Sequence, residues 1–146
     1  MHNYFATEAA DKQSAGRTWE EVSVLLIQRD WAAEALHAWE AGQLCSDIAC
    51  EVTALRLGDV AILAAPLEIF TETGLAIKRY SPARMTLLST NSNDGLGYLP
   101  TRDAYKEDDY TNPEGLAPKV YGLYALAAEA EPLFQQNAIR MLQELF

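Results

Sequence analysis

Glu68 closes the apolar run Val60-Ala61-Ile62-Leu63-Ala64-Ala65-Pro66-Leu67, where a strand hands over to a helix. A second polar strand end follows Met85 to Ser89, in a loop holding Asn91, Asn93, Asp94, Gly95, Gly97 and Tyr98. In open α/β sheets ligands bind at the carboxyl ends of strands. If the two strands are parallel neighbours, the start of that loop comes beside Glu68. A carboxylate and a phenol converging there could ligate a hard or borderline cation, the phenol as a phenolate stabilised by the ion. Each group also has a plainer use. A glutamate at a helix start satisfies the dipole, and tyrosine rings such as those of Tyr98 and Tyr110 anchor loops.

The other chemically capable residues form weaker patterns. Asp94, Glu107, Asp108 and Asp109 lack the alternating oxygen spacing of calcium loops and read as a solvated loop face. Cys45 and Cys50 could pair but read as buried thiols in an apolar-rich chain, and no further cysteine or nearby histidine completes a zinc site. The histidines are His2, on a polar lead-in, and His37, beside Trp31, Ala35 and Trp39 on a helical face. Trp19, Trp31 and Trp39 could offer a stacking surface, but their spacing favours a helix docked on a sheet.

These candidates sit in a chain of 146 residues, 49% of them hydrophobic and 22% charged, enough for one compact domain. The formal charge of -10 repels nucleic acid and anionic headgroups and favours cations. No run approaches the ~18 apolar residues of a membrane span. The start, Met1-His2-Asn3-Tyr4-Phe5, lacks the apolar core of a secretory signal, so a cytoplasmic protein is expected if Met1 is native.

Residues 1–17 show no period and read as a polar arm, followed by a single α/β domain over 18–146. Thr18 with Glu20 and Glu21 marks a helix start. Val22 to Ile27 fits a buried helix or a strand, and 30–42 is helical with Gly42 as its terminal cap. Ile48 to Leu57 and Val60 to Ala65 read as a hairpin about Gly58-Asp59, with a possible bulge near Leu57 and the second strand central. Helical spacing over 68–80 and a strand over 85–89 complete a parallel βαβ crossover. A long loop from Thr90 to about Pro118 precedes a helix over 120–145, bent or broken at Pro132. The predicted fold class is α/β: a mixed β-sheet, a hairpin plus a parallel βαβ crossover, flanked by helices.

The stretches ALRLGDVAILAAPLEIFTETGLAIK (Ala54 to Lys78) and LLSTNSNDGLGYLPTRDAYKEDDY (Leu87 to Tyr110) resemble the carboxyl-terminal part of the catalytic domain of the neutral/alkaline ceramidases. That family shows a strand ending in Pro-Gly-Glu, a Gly-containing helix, a strand, and an Asn-containing loop with Gly-Tyr, Thr and a later Tyr. The resemblance covers roughly residues 45 to 115, and Gly97 to Tyr105 is its most specific block. It implies a zinc amidase acting on an N-acyl amide or sphingolipid-like substrate. Carried over, the metal-ligating glutamate falls on Glu68, the metal-ligating tyrosine on Tyr98, and an oxyanion-stabilising tyrosine on Tyr110. Leu67 replaces the family's glycine, where it is expected to restrict the turn and crowd the metal, and Thr111 replaces an acidic residue.

In the family two further ligands are histidines from an earlier part of the domain, and no such pair is present here. The implied partner is therefore an N-terminal half bearing those histidines. The competing expectation is a non-catalytic relative that kept the fold as a binding or oligomerising module. In that second case the apolar surface left by a missing half must be covered, so self-association into a homo-oligomer is expected.

Overall fold

Two helices account for residues 2–40 in the computed structural model, which describes residues 2–43, 47–104, 115–120 and 126–146. The chain divides into two compact units, Met1–Ile48 and Ala49–Phe146. In the first, α1 (His2–Ser14) packs on α2 (Trp19–Glu40). His2–Ser14 is thus a helix within the segment expected to be a polar arm, and the first compact unit runs on to Ile48. The reason is local termination. Gly16 takes φ 71°, so its N–H reaches the Gln13 carbonyl and that of Arg17 the Lys12 carbonyl, closing α1 in a Schellman motif. Gly42 (φ 64°) closes α2 the same way, through Trp39 and Ala38. Thr18 and Glu21 form the reciprocal capping box that starts α2.

Val22 to Ile27 resolves as helix, with Ala9, Val22 and Leu25 as the buried seam between α1 and α2. Of the three tryptophans only Trp31 is half-buried; Trp19 and Trp39 are each 70% exposed, so the rings do not share one buried face. Two neighbouring helices bury one narrow stripe, here Ala9 against Val22 and Leu25.

The second unit is the α/β part. β1 (Thr53–Leu57) and β2 (Val60–Ala64) form a hairpin, with Gly58 at φ 61° in the turn. Their ladder runs unbroken from Thr53↔Ala64 to Leu57↔Val60, so the bulge expected near Leu57 is absent. α3 (Thr71–Tyr80) then crosses to β4 (Met85–Ser89), which pairs with β2 in parallel. The order β1-β2-β4 is the predicted mixed sheet, with β2 central. Two short strands, β3 (Glu68–Ile69) and β5 (Tyr98–Leu99), pair in parallel as a second small sheet. α4 (Ala117–Val120) and α5 (Ala130–Leu145) follow. Pro132 does not bend a long helix; it sits in the first turn of α5, where a missing N–H costs nothing.

α3 and α5 cover one side of the sheet. Leu63, Leu67, Ile77, Leu99, Phe134 and Leu142 are the large side chains of that core. Gly74 lets α3 approach β4, since a Cβ there would meet Leu88 Cδ1 at 3.1 Å. Thr73 Oγ1, buried, donates to Glu131 Oε1 at 2.7 Å and ties α3 to α5. Arg56 donates to the Leu145 carbonyl at 2.8 Å and lies over the Phe146 ring, a cation at a helix carboxyl end. On the opposite side of the sheet Leu55, Leu57, Met85 and Leu87 stay 48–63% exposed.

Candidate functional site

The segment leaving β2 is laced between the two arms of the loop that leaves β4. The Ala65 N–H donates to the Ser89 carbonyl (3.0 Å), and Ser92 N–H to the Ala65 carbonyl (3.0 Å). Asn91 N–H donates to Leu67 (3.3 Å), Leu96 N–H to Pro66 (2.7 Å), and Glu68 N–H to Gly97 (2.8 Å). The loop folds back because Asn91 and Asn93 take φ values of 50° and 72°, a region asparagine tolerates better than most residues. Asp94 Oδ1 accepts from the Gly95 N–H at 2.8 Å, so that carboxylate is engaged in the turn.

This lacing sets Glu68 opposite Tyr98 in a parallel ladder, with Ile69 opposite Leu99 one step on. Register partners in neighbouring strands stand about 4.8 Å apart and point to the same face. Which face follows from burial. Ala61, Leu63, Ala65 and Leu67 belong to the core, Ile69 packs against it, and Leu99 is buried within it. By alternation Glu68 and Tyr98 therefore point away from the core, and both are half-buried. They belong to the small β3-β5 sheet, which the bends at Pro66 and Leu67 separate from β2. The Phe70 ring meets Tyr98 edge to face with centroids 6.4 Å apart and planes at 89°.

Two sequence expectations change here. Glu68 is in β3, three residues before α3 begins at Thr71, so it is not the carboxylate of a helix first turn. Leu67 is 6% exposed, inside the core, and alternation turns it away from Glu68; it does not crowd the glutamate's side. Its side chain fills the space between sheet and helices.

The remaining candidates scatter. Tyr110, Tyr105, Cys45, Glu107, Asp108 and Asp109 lie outside the described residues. Cys50 is an exposed free thiol rather than a buried one, because the segment 47–52 runs outside any helix or strand. His37 is exposed on α2, in the first unit. Among the described residues no group of three or more His, Cys, Asp or Glu side chains is gathered to hold a metal ion, and no helix is long and apolar enough to cross a membrane. A carboxylate and a phenol on paired positions suit zinc chemically, since zinc accepts oxygen ligands at about 2.0–2.2 Å, but they form part of a ligand set only.

Sequence reasoning missed the two-residue strands and Phe70. The residue order carried little signal for them: Val60 to Leu67 is apolar without a period, and only Leu67-Glu68-Ile69, with one polar residue between two apolar ones, hints at a second short strand.

No protein-family model and no curated protein sequence matches this chain. Solved structures do. The crystal structure of neutral ceramidase from Pseudomonas aeruginosa superposes with a TM-score of 0.50 at 22% identity, covering 64% of this chain and 15% of that one. A ceramidase complexed with C2 gives 0.51 at 24% identity, covering 64% and 14%. The match thus takes in about a seventh of the length of those enzymes. At these identities the likeness is one of fold: nearly two thirds of this chain is built like a small piece of a neutral ceramidase.

Proposed function

We propose that this chain is the carboxyl-terminal portion of the catalytic domain of a ceramidase-like zinc amidohydrolase. In this reading Glu68 and Tyr98 are two oxygen ligands of the metal, and the substrate is an N-acyl amide of sphingolipid type. The observation that carries the reading is the register pairing of Glu68 with Tyr98 on the side away from the core. When bound, zinc contributes a Lewis acid that polarises the amide carbonyl and acidifies water. Glu68 holds its carboxylate on a short strand pinned by the Gly97 carbonyl, and Tyr98 brings its phenol alongside. Tyr110 is assigned the donor that stabilises the oxyanion. Catalytic zinc takes about three protein ligands plus water, so the remaining nitrogen ligands come from a complementary half. Leu55, Leu57, Met85 and Leu87 offer that half an exposed apolar face on the three-stranded sheet.

The test is zinc titration of the chain followed by NMR. Resonances of Glu68 and Tyr98 should shift together, and Glu68→Gln or Tyr98→Phe should each weaken binding at least tenfold. Shifts confined to other residues, or both variants binding as the wild type does, would defeat the reading.

The same exposed face favours a second reading, a non-catalytic module that oligomerises. Each of its four large apolar residues, about half exposed, forgoes roughly 1 kcal/mol of burial. Sedimentation equilibrium separates the two readings. A dimer abolished by Leu87→Lys, in a chain that does not bind zinc at Glu68, would favour the module.

A further inference from the structure

We infer that Phe70 is a positioning residue that holds the Tyr98 phenol beside the Glu68 carboxylate. The inference rests on the metal-ligand reading given above and deepens it. Phe70 lies two residues beyond Glu68 in extended backbone (φ -65°, ψ 150°), so both side chains emerge on one face. Across the ladder Tyr98 is the register partner of Glu68, and it is therefore the diagonal neighbour of Phe70. The edge-to-face contact, at 6.4 Å and 89°, is the arrangement that aromatic quadrupoles favour, and it restricts the tyrosine ring about its first two side-chain torsions. Without that wall, a half-buried tyrosine on a two-residue strand has staggered alternatives that carry its oxygen away from Glu68.

A second observation is independent of this contact. Phe70 occupies the N-cap of α3 and makes no side-chain cap hydrogen bond. That position strongly prefers Ser, Thr, Asp or Asn, and threonine stands one residue later, at Thr71. The helix forgoes its cap and keeps an aromatic ring there. A local rule broken without local compensation points to a demand from elsewhere, and the neighbour that the ring serves is Tyr98.

The experiment uses the full chain with tyrosine rings labelled with 13C, in Phe70→Leu, Phe70→Met and Phe70→Tyr variants. Backbone amide spectra check that each variant folds. Without metal, the NOE between the Tyr98 ring and the Glu68 side chain should persist in the wild type and in Phe70→Tyr, which keeps the ring. It should be lost in Phe70→Leu and Phe70→Met as Tyr98 averages over rotamers. With Zn²⁺ alone as probe, Phe70→Leu should bind roughly two- to tenfold more weakly, as loss of one aromatic pair implies, and Phe70→Tyr should recover. If Phe70→Leu and Phe70→Met keep both the NOE and wild-type affinity while Glu68→Gln and Tyr98→Phe lose zinc, the positioning role is overturned and the ligand pair stands. If zinc ignores Glu68 and Tyr98 but the NOE still depends on the ring at residue 70, the metal reading fails and the positioning of Tyr98 stands.

Discussion

The link between Thr73 and Glu131 should be worth about 1–2 kcal/mol, and its loss should loosen the helices that back the candidate site. Thr73 is 1% exposed in the middle of the α3 face, and its Oγ1 donates to Glu131 Oε1 at 2.7 Å. A hydrogen bond to a charged acceptor contributes about 1.5–3 kcal/mol. Glu131 is only half-buried, so water partly replaces the lost donor, and the value falls around the bottom of that range, at about 1–2 kcal/mol. Thr73→Val keeps the shape and removes the hydroxyl, which separates hydrogen bonding from packing. Glu131→Ala removes the acceptor but also a carboxylate from the first turn of α5, where it favours the helix dipole. The double-mutant cycle cancels these side effects and isolates the pair. All three tryptophans lie in the first unit, so the measurement is urea denaturation followed by far-ultraviolet circular dichroism rather than by fluorescence. Thr73→Val should lower the midpoint by about 0.5–1 M, and the coupling energy should be about 1–2 kcal/mol. A coupling below about 0.5 kcal/mol would show that the α3–α5 seam is held by apolar packing alone, and would refute the reasoning.

Two further outcomes follow from single residues. Gly58 has open space around its Cβ position but sits at φ 61°, so Gly58→Ala should cost about 1–2 kcal/mol through backbone strain alone, read as a urea midpoint shift. Cys50 is exposed as a residue, yet neighbouring atoms desolvate part of its thiol and push it up, so at a given pH it holds less thiolate than free cysteine does. In a Cys45→Ser background, the pH profile of its alkylation should inflect above that of free cysteine, and an inflection at or below it would refute the assignment.

The hairpin, the crossover and the two ends of α2 were legible in the residue order because their causes are short-range. A glycine that accepts φ 61°, a threonine facing a glutamate three residues on, and an apolar block bounded by turn residues each act within a few residues. The same local signals, read too weakly, hid α1, whose end is set by Gly16 and whose apolar stripe is thin. The partnership of Glu68 with Tyr98 has another origin. Thirty positions separate them, and no local rule fixes which side of the chain each presents. That was decided by the hydrogen bonds from Asn91, Ser92 and Leu96 back to residues 65–67, and by the burial of Leu67 and Leu99, which turned the carboxylate and the phenol outward together. Residue types gave the chemistry at hand. Strand register, which is a long-range choice between two faces, gave the chemistry a place.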